Sequence, residues 1–503
     1  TDNVATTAAE MIDDLFKTRI GRNKVFTSKV LFLSGKLTEA DVKSIACELI
    51  NPLIERYHIK SYHQYKKDDG MDVTIPEVKL SGRPNVLEID LEVPDVELKD
   101  LGKKGIIDPE TGERRGPLAL SLDYLKTIRG YYRKEGRKPT DIELESIAQT
   151  WSEHCKHTIF SSEMDDIKDG LFDTYIKGAT EKIRKRLGKK DFCVSVFADN
   201  SGAIVFDDEY LVTDKAETHN SPSALDPFGG AITGIVGVNR DTIGFGLGAR
   251  PIVNKYGYCF GRPEDTRKIY RGKNRTNQAL PPKRIMEGVV QGVNVGGNCS
   301  GIPTPAGFLF FDDHYRGKPL VFVGTVGLIP RKLPDGRLGH EKQAQPGDNI
   351  VVIGGRVGKD GIHGATFSSE AMDEGSPATA VQIGDPITQK KLSDAICDEA
   401  RDMGLYSSIT DNGAGGLSCS VAEMARECGG FKVDLEKVPL KYPGLEPWET
   451  WVSESQERMT LAVPDEKLEA FTELMNERGV ESAVIGRFDD SGRGVVNLSG
   501  KTI

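Results

Sequence analysis

Glycine supplies 55 of the 503 residues, about 11% where soluble chains average about 7%, and its placement limits the fold more than any other feature. It recurs directly after apolar, β-branched runs, in VVIGGRVGKDGIHGA (351–365) and in TDNGAGGLS (410–418), and again at Gly229-Gly230. Residues without a Cβ at such points make tight turns, or loops whose backbone approaches a ligand closely. Strand-like runs that pass through glycine loops into helical patterns describe a mixed α/β protein of the α+β type. At about 150 residues per domain, the length allows about three domains.

Charge and composition exclude several classes. The balance of 66 Lys and Arg against 76 Asp and Glu, net -10, disfavours general nucleic-acid binding. With 38% hydrophobic and 28% charged residues the chain is neither disordered nor membrane-embedded. Its longest apolar stretch, PLVFVGTVGLIP (319–330), falls short of the ~20 residues a membrane helix needs. The first residues mix acidic and polar groups, so no signal peptide is expected. Cys47, Cys155, Cys193, Cys259, Cys299, Cys397, Cys419 and Cys428 form no CxxC pair. Reduced thiols and a cytoplasmic setting follow, rather than a zinc site or a disulfide framework.

The pattern divides into a leader (1–23), a small α/β domain (24–100), a linker with a helical section (101–168), and two larger units (169–335 and 336–503). In the small domain VFTSKVLFLSG (25–35), VTIPEVKL (73–80) and NVLEIDLEV (85–93) read as strands, with a helix opened by a capping box of Thr38 and Asp41. The helical section holds LSLDYLKTIRGYYRKEG (120–136) and TDIELESIAQTWSEHCKHTIF (140–160), the second opened by Pro139 and a capping box of Thr140 with Glu143. The third unit alternates strands in 194–217, 308–313 and 320–329 with glycine-bounded helices. The last begins with NIVVIGG (349–355), continues through helices at 392–404 and 417–430, and closes with a hairpin near AVIGRFDDSGRGVVNL (483–498).

Several groups carry possible chemistry. On a continuous helix, His154 and His157 share a face with Trp151, either as a metal pair or as a helix end whose histidines merely hydrogen-bond. In an extended YLVTDKAETH (210–219), Lys215, Glu217 and His219 emerge on one face. A cation, a carboxylate and an imidazole in one row suit phosphate, Mg²⁺ and proton transfer, or else a solvated edge strand. The row runs through Asn220-Ser221 into Gly229-Gly230, a loop-to-helix passage suited to anions. The two glycine loops, the first with Arg356 and Lys359, offer amides to phosphate oxygens, yet neither is a Walker A loop or a GxGxxG fingerprint. Cys299 has the G-x-C-x-G spacing of a glutaminase elbow, but Pro303 and Pro305 follow where an elbow needs a helix, so its thiol reads as structural. The basic runs 181–190 and 267–275 read as solvated surface.

TWSEHCKH (150–157), DKAETHNSPSALDPFGGAITG (214–234), GVNRD (237–241), GGNCSGIPT (296–304), GGRVGKDGIHGATFSS (354–369), VQIGDP (381–386), TDNGAGG (410–416) and SESQERM (453–459), in this order, resemble the first half of the phosphoribosylformylglycinamidine synthase family, also called formylglycinamide ribonucleotide amidotransferase. The resemblance runs from about Leu120 to the end, and more weakly links 24–94 to that family's small-subunit-like N-terminal domain. The superfamily includes aminoimidazole ribonucleotide synthase and selenophosphate synthetase. It implies A-type and B-type synthase domains, the A-type at 169–335 and the B-type at 336–503.

The resemblance implies ATP-dependent carbon–nitrogen ligation in purine biosynthesis. ATP phosphorylates the carbonyl oxygen of formylglycinamide ribonucleotide, and glutamine-derived ammonia displaces phosphate to give the amidine. By motif position His157 and Lys215 contact ATP, and Glu217, Asp241 and Asp411 hold Mg²⁺. His219 accepts a proton, and His154 stands at the reacting centre. Substrate contacts fall to Thr218, His219, Asn220, Ser221, Arg240, Gln382, Glu454, Ser455 and Gln456. Smaller family members carry Tyr where His157 stands and His where Ser221 stands. The implied partners are a glutaminase domain or subunit and the second half of the synthetase, neither of which has a counterpart in these 503 residues. Two other readings remain open: a nucleotide-binding or scaffolding piece, and a self-pairing enzyme like aminoimidazole ribonucleotide synthase.

Overall fold

The computed structural model describes residues 3–503 except 19, 21–24, 52–54, 73–77, 79, 81–84, 110, 276–277, 369–371, 373–380 and 383. Two compact units are present, Thr1–Leu80 and Ser81–Ile503.

The first unit holds helices Asn3–Phe16, Glu39–Leu49 and Tyr62–Lys67. The capping box expected of Thr38 and Asp41 is formed, each side chain bonding the other's backbone N–H. No strand is present among its described residues. The run 25–35 forms no strand, and Val30, Leu31 and Phe32 remain exposed. A strand exists only through its ladder. Of the two partners expected for it, 73–80 lies largely outside the described residues, and 85–93, in the other unit, forms a single bridge, Glu88 to Thr140.

In the second unit a helical section comes first. Helices Asp95–Lys104, Leu122–Glu135 and Asp141–Thr150 enclose Leu98, Leu118, Leu125, Ile128 and Leu144. The capping box of Thr140 and Glu143 is in place. The continuous helix expected over 140–160 is not: it ends at Trp151, restarts as Glu153–Lys156 with Ser152 as cap, and breaks again at His157, whose φ is 52°. The Ser152 hydroxyl, by accepting from the Cys155 N–H, offers the backbone a fresh N-terminus that competes with continuation.

Strands β1 (Cys193–Ser195), β2 (Gly202–Val205), β3 (Tyr210–Thr218), β4 (Arg250–Phe260), β5 (Ala306–Phe311) and β6 (Leu320–Pro330) form one sheet in the order β1-β2-β3-β6-β4-β5. Helices Pro227–Ile243 and Pro282–Ser300 cover one face, packing Ile235, Val238, Val289 and Val293 on Tyr258, Phe260, Val321 and Val323. β4 escapes sequence reading because Pro251, Asn254, Lys255 and Gly257 interrupt its apolar alternation. The Pro282–Ser300 helix ends at Gly301 in the left-handed region, so Cys299 closes a helix rather than opening one, as a structural thiol would.

The second sheet comprises β7 (Asn349–Gly354), β8 (Ser408–Asp411), β9 (Gly430–Asp434), β10 (Arg458–Val463), β11 (Ser482–Asp489), β12 (Gly494–Leu498) and β13 (Lys501–Thr502), ordered β13-β12-β9-β11-β7-β10-β8. β7 is buried along its whole length, as a continuous apolar run predicts for a strand covered on both faces. The closing hairpin expected over 483–498 is overturned. β9 inserts between the two strands, antiparallel to β11 through Gly486–Val433 and parallel to β12 through Val495–Lys432. Adjacency in sequence favours a hairpin, but Phe431 and Val433, both buried, bring β9 into the interior position.

Candidate functional site

The site assembles where β3 meets the end of the Pro227–Ile243 helix and the two sheets come together. Side chains alternate along β3, so Lys215 and Glu217 share a face, and Lys215 Nζ lies 2.8 Å from Glu217 Oε1 and 3.4 Å from Asp241 Oδ2. Asp241 stands one residue after Arg240 in the last turn of the helix. Arg240 is buried and donates from Nε to Asp411 Oδ2 at 2.9 Å and from Nη1 to Gln456. Asp411 ends β8, and its second oxygen accepts from Asn200 Nδ2 at 3.0 Å. Lys215, Glu217, Arg240, Asp241, Asp411 and Gln456, scattered over 242 positions of sequence, are thus one connected group.

Electrostatics there are strained. Burial, then the neighbouring Asp411 charge, pushes the Asp241 carboxyl up to about 8 against the pull of Lys215 and Arg240. Burial works to lower Lys215, but Asp241 and Glu217 outweigh it and hold the ammonium above its ordinary range. Three carboxylates within one charge field suit a hard cation. Among the described residues no group of three or more His, Cys, Asp or Glu is arranged to enclose one.

His219 follows β3 directly, its N–H bonded to Val321 O at 2.8 Å. Burial pushes its ring down to about 4, so at neutral pH it is uncharged, and its Nδ1 has no protein partner. A neutral imidazole can take up a proton. Thr218 closes the strand opposite Phe322, Asn220 Oδ1 accepts from Val321 N at 2.8 Å, and the buried Ser221 hydroxyl has no partner. His154 lies close enough for the charges of Glu217, Lys215 and His157 to act on it. Because His157 adopts the left-handed conformation, the pair does not stand on one helical face.

On the second sheet, Glu454, Ser455 and Gln456 are buried at the entry to β10. Glu454 accepts from Gly415 N at 3.1 Å, from Ala365 N and from Gln382 Nε2 at 2.8 Å. Burial pushes it up to about 7. The glycine loop 354–365 spends its groups inside the protein: Gly358 N–H bonds Ser455 Oγ, Lys359 N–H bonds Tyr442, Arg356 pairs with Glu481 and Lys359 with Glu449. It builds the Glu454 segment rather than offering a free phosphate cradle. Asn200 and Ala365 escape sequence reading. Asn200 is marked only by a polar break between two strand-like runs, and Ala365 contributes a backbone N–H that no side-chain pattern records.

Three family descriptions match the chain: formylglycinamide ribonucleotide amidotransferase linker domain over 110–157, AIR synthase related protein N-terminal domain over 198–329, and its C-terminal domain over 345–499. Phosphoribosylformylglycinamidine synthase subunit PurL of Thermoplasma acidophilum is 36% identical over 379 residues, 74% of this chain and 46% of that protein. The solved structure described as T. maritima PurL complexed with FGAR superposes with a TM-score of 0.59 at 30% identity, covering 76% of this chain and 55% of that one. That described as T. maritima PurL complexed with ATP gives 0.57 at 29%, covering 76% and 53%. The chain spans about half the length of the curated relatives it matches.

Proposed function

Because the chain belongs to the phosphoribosylformylglycinamidine synthase PurL family, we propose that it supplies one half of an ATP-dependent carbon–nitrogen ligase. The reaction converts formylglycinamide ribonucleotide, ATP and ammonia to formylglycinamidine ribonucleotide, ADP and phosphate. The observation that carries this reading is the convergence of Lys215, Glu217, Asp241 and the Arg240–Asp411 pair from two sheets onto one spot. Similarity to a PurL complexed with FGAR and to one complexed with ATP supports both ligands.

An amide carbon resists attack by ammonia until its oxygen becomes a leaving group, and transfer of the γ-phosphoryl of ATP to that oxygen provides one. Lys215 and His157 bind the nucleotide phosphates. Glu217, Asp241 and Asp411 hold Mg²⁺, which when bound neutralises the triphosphate. His219, kept neutral, accepts the proton ammonia sheds as it attacks, and His154 orients the reacting amide. Thr218 to Ser221, Arg240, Gln382 and Glu454 to Gln456 bind the ribonucleotide, with Arg240 the partner of its phosphate. In this reading the A-type unit spans 169–335 and the B-type unit 336–503, after a leader (1–23), a small domain (24–100) and a linker section (101–168). A glutaminase supplies ammonia, the synthetase's second half completes the enzyme, and the setting is cytoplasmic.

The test is phosphate release by the purified chain with Mg-ATP and ammonium chloride, with and without formylglycinamide ribonucleotide, then with the second half added. Release that depends on the ribonucleotide supports the reading. Mg-ATP that neither raises the melting temperature nor yields phosphate in either mixture refutes it.

A further inference from the structure

A buried histidine outside the proposed chemistry connects the helical section to the Glu454 segment. His363 Nε2 and Glu145 Oε2 are 2.7 Å apart, with the two residues 4% and 0% exposed. The His363 ring stacks on Trp448 at 5.8 Å, Arg115 lies over the same indole at 4.9 Å, and Arg115 pairs with Asp141 at 2.7 Å. One turn along the Asp141–Thr150 helix, Gln149 Oε1 accepts from Thr366 at 3.4 Å. This helix therefore grips 363–366 at two points.

The gripped turn has one side against the helix and the other against Glu454. His363 holds a φ of 59°, a left-handed conformation uncommon for a residue with a Cβ. Two residues later the Ala365 N–H donates to both Glu454 oxygens, at 3.2 and 3.1 Å. At Gly361, φ 77°, an added Cβ would lie 2.6 Å from Gln382 Cγ and 2.9 Å from the Glu454 carbonyl carbon, so the backbone itself abuts both residues. Apolar side chains of similar volume would serve stability as well as a buried ion pair does. What the pair adds is direction, because it fixes one rotation of the turn.

We infer that His363, held by Glu145, is a positioning residue that aims the Ala365 N–H at Glu454 and so sets the geometry of the Gln382–Glu454 pair. The inference deepens the proposed function, resting on Glu454 and Gln382 as contacts of the ribonucleotide. The test compares the wild-type chain with His363→Gln, with Glu145→Gln, which leaves His363 an acceptor, and with the double variant His363→Leu/Glu145→Leu, which keeps volume without an orphaned charge.

Two readouts are taken on each folded protein: hydrogen exchange of peptides covering 361–368 and 413–417, and calorimetric affinity for formylglycinamide ribonucleotide and for Mg-ATP. In His363→Gln and in the double variant, exchange over 361–368 rises and ribonucleotide affinity falls roughly tenfold while Mg-ATP affinity holds, since displacement of a contact by about 1 Å is costly. Glu145→Gln retains most of the affinity. Unchanged exchange over 361–368 in the double variant overturns the inference, as does equal weakening of both ligands together with a lower melting temperature. A wild type that fails to bind the ribonucleotide refutes the proposed function instead, and the exchange comparison still decides whether His363 holds the turn.

Discussion

Arg240 and Asp411 provide a measurable link between the two sheets. At 2.9 Å and an effective dielectric of about 20, their attraction is about 6 kcal/mol before desolvation is subtracted. Loss of one member of a buried pair typically costs about 3–5 kcal/mol. In Arg240→Met, Asp411 keeps the bond from Asn200, whereas Gln456 Oε1 loses its donor, which places the loss near 3 kcal/mol. For a unit as long as Ser81–Ile503, with an unfolding entropy of about 2.1 cal/mol/K per residue, that corresponds to a melting point lower by roughly 3–4 °C. Removing the opposing charge as well, in Arg240→Met/Asp411→Asn, should return about 2 kcal/mol relative to the sum of the single losses. Urea unfolding at pH 7, followed by fluorescence and evaluated as a double-mutant cycle, reads both quantities. A single-variant loss below about 1 kcal/mol, or a cycle that closes to zero, would refute the view that this pair couples the sheets.

Lys215→Met removes the cation that offsets Glu217 and Asp241, so Mg-ATP should no longer raise the melting temperature; a shift equal to wild type would show that Lys215 does not contact nucleotide. Glu457 is buried and pushed up to about 8, above its unfolded value of about 4.3. Its stabilising contribution is therefore complete below about 4.3 and lost as pH rises through 8. Melting temperatures should decline from pH 5 to 8.5 and decline less steeply in Glu457→Gln, a proposal that identical slopes would end. Cys299→Ser, at the end of its helix, should leave phosphate release unchanged, and a large loss would restore the thiol to the chemistry.

Legibility from sequence tracked the range of the interaction. Thr38 with Asp41 and Thr140 with Glu143 are local pairs whose spacing alone dictates a cap, and both formed. The alternation that sets Lys215 beside Glu217 is equally local. β7 was legible from its unbroken apolar run, while β4 was not, because its Asn254 is buried in a polar network with Asn239 and Thr325 that only the folded chain reveals. The break after Trp151 depended on a single serine hydroxyl, that of Ser152, outcompeting helix continuation. Arg240 meeting Asp411, and His363 meeting Glu145, are long-range encounters that carry no periodicity.

The placement of β9 between β11 and β12 also governs the order in which the second sheet can close. Phe431 is aligned with Gly494 in a parallel pair, so forming it closes a long loop whose entropy cost delays it. During synthesis β9 can gain its β11 neighbour once residues 482–489 have emerged, yet its other edge stays open until 494–498 follow. An uncovered edge recruits foreign strands. Residues 494–498 thus act as a seal against misassembly, and a variant lacking this strand should aggregate even though every proposed site residue is retained.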